Sequence, residues 1–173
     1  MTSSSKTIQV LCFVLAAGFL CSCKFSLSFS GASISPDVKT FSVASFPNRA
    51  PVFQPSLSYE FTNGLQDKIQ SQSRLKLVRN NGDVSFEGEI TDYSTRDVAI
   101  SGADNLASQT RLSITIRVKY TNQKDTKQNF DQSFSRYADF PTSKNLSEVE
   151  NELIKNIVDQ ITEDIFNKAF INW

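Results

Sequence analysis

The chain has no histidine. Ser-His-Asp and Cys-His catalysis, imidazole general bases and the common zinc sites are therefore excluded together. Cysteine is scarce: the three present are Cys12, Cys21 and Cys23. Glycine-rich phosphate loops and metal-ligand spacings are missing as well. There is no net charge, with 18 basic and 18 acidic residues. That balance argues against a nucleic-acid partner, whose grip comes largely from neutralised phosphates. A bilayer-spanning run is also lacking, because the apolar stretch over 10–20 falls short of the about 20 residues a helix needs to cross.

That short run has another use. Lys6, the uncharged run and the small residues after it have the three-part layout of a secretory signal peptide. Leu20-Cys21-Ser22-Cys23 resembles a bacterial lipobox: Leu three positions before a cysteine, a small residue just before it, then the cysteine. Cys21 stands where that pattern prefers Ala or Ser. The resemblance implies diacylglycerol on Cys23, cleavage before it and acylation of the new amine. The alternative is an ordinary signal cut nearby, with Cys23 left as a free thiol. On the lipobox reading Cys12 and Cys21 leave with residues 1–22, Cys23 becomes the first residue, and no internal disulfide can form. Two or three acyl chains make a stable anchor, where one is marginal. The remaining 23–173 stretch, about 150 residues with one charge of imbalance once Lys6 is gone, has the length of a single domain.

Within that domain Phe25, Leu27 and Phe29 alternate with serines, a period-two first strand. A less regular strand is expected over 38–46. Pro47, Pro51 and Pro55 stiffen the connection that follows. Leu57, Phe61, Leu65 and Ile69, four apart, predict a helix opening at Pro55-Ser56, with Gly64 inside it as a sign of close packing. A short strand over 75–78 leads to the turn signal Asn80-Asn81-Gly82-Asp83, since Asn and Gly tolerate positive φ. The clearest strands are Val84, Phe86, Gly88 and Ile90, then Leu112, Ile114, Ile116, Val118 and Tyr120, each alternating with polar residues as in a sheet covered on one side. Residues 95–109 read as a mobile loop. A third strand carries Phe130 and Phe134 and stops at Pro141. Ser147-Glu148-Val149-Glu150 reads as a capping box, followed by a stripe of Val149, Leu153, Ile157, Ile161 and Ile165 widened by Ile154, Val158 and Phe166. With the short 75–78 strand left out, the expected order is β, β, α, β, β, β, α. It implies an α+β two-layer sandwich with two helices on one face of a mostly antiparallel, mixed sheet.

Few constellations carry chemistry. Glu87 and Glu89 share a strand face about 6.6 Å apart, near the separation used in glycoside hydrolysis. A charge ladder with Arg117 and Lys119 is the stronger reading, and a hydrolase is kept only as a competitor. Arg111, Arg117, Lys119, Lys124 and Lys127 form the most basic stretch. Arg111, Arg117 and Lys119 are its candidates for contact with a phosphorylated glycolipid. The Phe-Ser alternation after Cys23 and the loop over 46–55 are candidate partner contacts, and core or rim is the equal alternative for either.

Five segments carry a resemblance across the whole of 23–173. They are Phe29-Ser30-Gly31-Ala32-Ser33-Ile34, Phe46-Pro47-Asn48-Arg49-Ala50-Pro51, Phe86-Glu87-Gly88-Glu89-Ile90-Thr91-Asp92-Tyr93, Ser135-Arg136-Tyr137-Ala138-Asp139-Phe140 and Glu163-Asp164-Ile165-Phe166-Asn167-Lys168. In these the chain resembles the lipopolysaccharide-assembly lipoproteins, LptE. The resemblance implies a non-enzymatic lipoprotein on the periplasmic side of the outer membrane. Its partner would be a large β-barrel, LptD, which it plugs and helps to assemble, and lipopolysaccharide is a further partner. It implies a fold of two helices on a sheet and no cofactor beyond covalent lipid on Cys23. Lys24 after the anchor fits sorting to the outer membrane. The competing function is a periplasmic-face lipid-binding carrier with an acyl-sized cavity between helices and sheet.

Overall fold

The structure is a computed structural model that describes residues 34–99 and 108–171. Cys23 and the strand expected at Phe25, Leu27 and Phe29 lie outside the described residues. In chain order the elements are β1 (Thr40–Val43), α1 (Leu57–Gln72), β2 (Lys76–Leu77), β3 (Val84–Ala99), β4 (Ser108–Asn122), β5 (Phe130–Pro141) and α2 (Leu146–Phe170). One sheet runs β2-β1-β3-β4-β5. β1 is parallel to both β2 and β3, whereas β3-β4 and β4-β5 are antiparallel, so the sheet is mixed as expected.

Both helices cover one face. Leu57, Phe61, Leu65 and Ile69 of α1 are all fully buried, and Ile154, Ile157, Val158, Ile161, Ile165 and Phe166 of α2 are buried beside them. They meet Phe41, Phe86, Ile90, Leu112, Ile114, Ile116, Val118 and Tyr120 from the sheet. The helices touch each other where Gly64 faces Val158: a Cβ at Gly64 would lie 2.9 Å from Val158 Cγ1. Lys68 of α1 and Glu163 of α2 close the same contact with a 2.9 Å ion pair.

Three expectations need correction. Residues 95–109 do not form one loop, since β3 pairs with β4 out to Ala99↔Ser108. The pairing shifts between Ile90 and Asp92, which makes Thr91 the extra residue of a β-bulge. Beyond it the phase reverses, so Tyr93 instead of Asp92 faces the helices. The α2 capping box is displaced. Asn145 is the N-cap, its side chain donates to Glu148 Oε1 at 3.0 Å, and Glu150 instead accepts a short hydrogen bond from the buried Tyr93 hydroxyl. Burial and that carboxylate push the Tyr93 phenol well above its ordinary pKa, keeping it a donor. Finally, regular β1 is shorter than 38–46. The chain nonetheless stays beside β3: Ala44 N–H donates to Phe86 O at 2.9 Å and Arg49 N–H to Ile90 O at 2.9 Å.

The turn before β3 uses its residues unequally. Asn81 takes the positive φ, 56°. Asp83 then clamps β1: one carboxylate oxygen accepts from Lys39 N–H at 3.0 Å, Thr40 N–H at 3.0 Å and Thr40 Oγ1 at 2.9 Å. Lys124 approaches its other oxygen at 3.1 Å. The Lys39 amide, first among these contacts, holds the carboxyl far below its usual range.

Candidate functional site: the open face of the sheet

The face opposite the helices is built by the alternate residues of β3, β4 and β5. Register sets them in rows: Glu87, Lys119 and Asp131; Glu89, Arg117 and Ser133; Asp92, Thr115 and Ser135; Ser94, Ser113 and Tyr137; Arg96, Arg111 and Asp139. The result is a broad polar surface with its charges matched across strands.

All three sequence-predicted basic residues lie on it. Lys119 donates to Glu87 at 2.7 Å, as the ladder reading expects. Arg117 stands opposite Glu89, yet its fork turns to Asp131 on β5, with contacts of 2.8 and 2.8 Å. Arg111 makes a second fork to Asp139 at 2.7 and 2.8 Å, and its guanidinium lies 3.5 Å from the centre of the half-exposed Tyr137 ring. These bonds lower the Asp131 and Asp139 pKa values and raise those of Arg111, Arg117 and Lys119. The side chains of Arg117 and Lys119 remain 56% and 57% exposed, against 21% for Arg111.

Charge is uneven along the face. A shallow cleft of about 390 Å³ brings Glu87, Glu89 and Asp131 around Arg117 and Lys119, an excess of carboxylate. At the other end Arg96 stands opposite Arg111, and among the described residues of this face Asp139 alone pairs with that end. Asp131, Asp139, Tyr137 and Arg96 are the residues of this face that sequence reasoning missed. For Asp131, Tyr137 and Asp139 the signal was the odd-numbered, period-two polar series of β5, eclipsed by Phe130 and Phe134; Arg96 lies past the β3 bulge, where the phase reverses.

The cleft lined by Ile34, Val38, Tyr120 and Phe170 has a volume of about 10 Å³, near the least that holds one water. Among the described residues no cluster of Cys, Asp or Glu could hold a metal, and no helix is long and apolar enough to cross a membrane.

A family model described as LptE, lipopolysaccharide-assembly, matches residues 38–169. No curated protein matches the chain. Among solved structures, a minor lipoprotein from Acinetobacter baumannii superposes with a TM-score of 0.51 at 13% identity, covering 76% of this chain and 91% of its own. A hypothetical protein from Chlamydia trachomatis gives 0.52 at 10% identity, covering 76% and 98%. At such identities the two structures show a shared fold.

Proposed function

The chain belongs to the LptE family of lipopolysaccharide-assembly proteins, and on that premise we propose that it is the lipoprotein plug of a large outer-membrane β-barrel of the LptD kind. The family is non-enzymatic, and its assembly role extends to this chain. The proposal adds the mechanism. Residues 1–22 are removed, Cys23 carries the lipid that holds 23–173 to the periplasmic side of the outer membrane, and the sandwich sits within the barrel lumen.

The observation that carries this reading is the open face of β3, β4 and β5. Large barrels have polar interiors and apolar outer bands. A surface of serines, threonines and internally paired charges suits a wet lumen wall and would be costly against lipid tails. Occupancy is the mechanism: the sandwich fills part of the lumen, orders the barrel wall and leaves a path for an amphipathic glycolipid. Along that path the Arg111 and Arg96 end supports a phosphate contact better than the Arg117 and Lys119 cleft, where carboxylates outnumber cations. Among the described residues, the close-packed layer between helices and sheet lends no support to an acyl carrier.

Depletion tests the reading. Loss of this protein should leave the barrel in an unassembled, heat-labile form and should lower lipopolysaccharide at the cell surface. Normal barrel assembly and normal surface lipopolysaccharide in depleted cells would contradict it.

A further inference from the structure

Two long strands of the sheet have a side without a partner, and they differ in charge. Along β5 the charges are engaged within the chain: Asp131 pairs with Arg117, Asp139 with Arg111, and Arg136 with Asp164 of α2. A second copy of β5 laid antiparallel against it would meet like charges. Centred on Ser135 the pairing sets Asp131 opposite Asp139, and centred on Arg136 it sets that arginine against itself. On β3 the side away from β4 is different. β1 covers it only from Val84 to Phe86, and the 47–49 segment reaches no further than Ile90, whose N–H and C=O it holds. From Asp92 to Ala99 no strand among the described residues pairs with that side, so its outward backbone groups are a template for another strand. Ser94, Thr95, Arg96 and Asp97 are exposed there.

Two opposite charges on this edge, both on the open face, have no ion-pair partner among the described residues. Asp92 accepts from the Ser94 hydroxyl at 2.8 Å, and Arg96 stands opposite Arg111. Four residues apart on one strand, they are separated by about 13 Å and do not reach each other. We propose that the free edge of β3 pairs antiparallel with the same edge of a second copy of this chain, about a two-fold axis at Ser94. In that register Asp92 of each copy lies opposite Arg96 of the other, and Tyr93 lies opposite Thr95. Moving the axis by one residue separates the charges. At Thr95 it sets Arg96 opposite Ser94, and at Tyr93 it carries Arg96 onto Ile90, where the 47–49 segment already occupies the edge. A two-fold contact repeats itself, so one charge match is made twice. The inference goes beyond the plug reading and concerns copies that no barrel has engaged.

The test is a cysteine at position 94 in the full lipidated chain, made in excess and oxidised with copper phenanthroline in native membranes. The unsubstituted chain and Ser135→Cys serve as controls. Ser94→Cys should give a disulfide-linked homodimer on a non-reducing gel, and neither control should. Adding Asp92→Lys replaces both attractive contacts by repulsive ones and should lower the yield about tenfold. Adding Arg96→Glu to that variant reverses both charges together and should restore the yield, which a loss of folding would not allow. No homodimer from position 94, an adduct with a different protein in its place, equal cross-linking from position 135, or a yield indifferent to Asp92→Lys would overturn the inference. Each of these outcomes leaves the plug reading standing, because that reading is tested by depletion.

Discussion

Gly88 faces the helices on β3 at a point where no side chain fits. A Cβ there would come within 2.0 Å of Arg117 O on β4 and 2.8 Å of the Phe46 ring. The ring takes the volume that glycine leaves, so Phe46 and Gly88 act as one packing unit. Gly88→Ala should therefore lower stability by at least the about 1–3 kcal/mol typical of overpacking, read from denaturant midpoints at constant slope. Ile157, fully buried at the centre of the α2 stripe, tests the opposite error. Ile157→Ala should cost about 2–5 kcal/mol, and Ile157→Asp should prevent folding by burying an unpaired charge. Normal melting of Ile157→Asp would refute the assignment of this helix face. Carboxylates provide a pH test. Asp83, Asp131, Asp139 and Glu163 all have pKa values lowered in the fold, chiefly by the Lys39 amide, Arg117, Arg111 and Lys68 respectively. A carboxyl depressed in the folded state favours folding above its unfolded value of about 4. That contribution is lost as pH falls through the folded-state values. Melting temperature should fall on acidification below about pH 4, and Asp83→Asn should flatten that fall.

Elements with a uniform period are legible in the amino-acid sequence alone. The four-residue spacing of Leu57, Phe61, Leu65 and Ile69 predicts a buried helix face, and all four are fully buried. Gly64 likewise marks the contact with Val158. Strand β4 alternates without interruption, and its inward residues Leu112, Ile114, Ile116, Val118 and Tyr120 are all buried. β3 is legible only to Thr91, because the bulge there shifts the phase by one residue and makes the continuation resemble polar loop sequence. The start of α2 misleads for a related reason. Ser147 and Glu150 have capping-box spacing, but Glu150 is engaged by Tyr93, a residue whose inward direction depends on the bulge. On the open face, Arg117, Lys119 and Glu87 can be placed from alternation alone. The choice of Asp131 over Glu89 by the Arg117 fork cannot, because it depends on which strand lies on the far side of β4. Deleting Thr91 should therefore do more than remove one side chain. It should put the outer part of β3 out of phase and lower stability, while Thr91→Ser should be nearly neutral in the same thermal melt.

At the scale of the molecule, the two faces of the sheet have different roles. The helix-covered face is filled and stabilises the fold, whereas the open face is polar and largely self-paired. A self-paired polar face needs no single strong ligand, which accords with a protein that works by filling space. The central claim is that this chain is a stoichiometric part of a barrel assembly. Affinity purification of the tagged, full-length lipoprotein from detergent-solubilised outer membranes, with the recovered proteins quantified by mass spectrometry, tests it most directly. The account predicts one large outer-membrane β-barrel protein recovered in near-equal amount. Recovery of the lipoprotein alone, or with lipid and no barrel, would contradict the account.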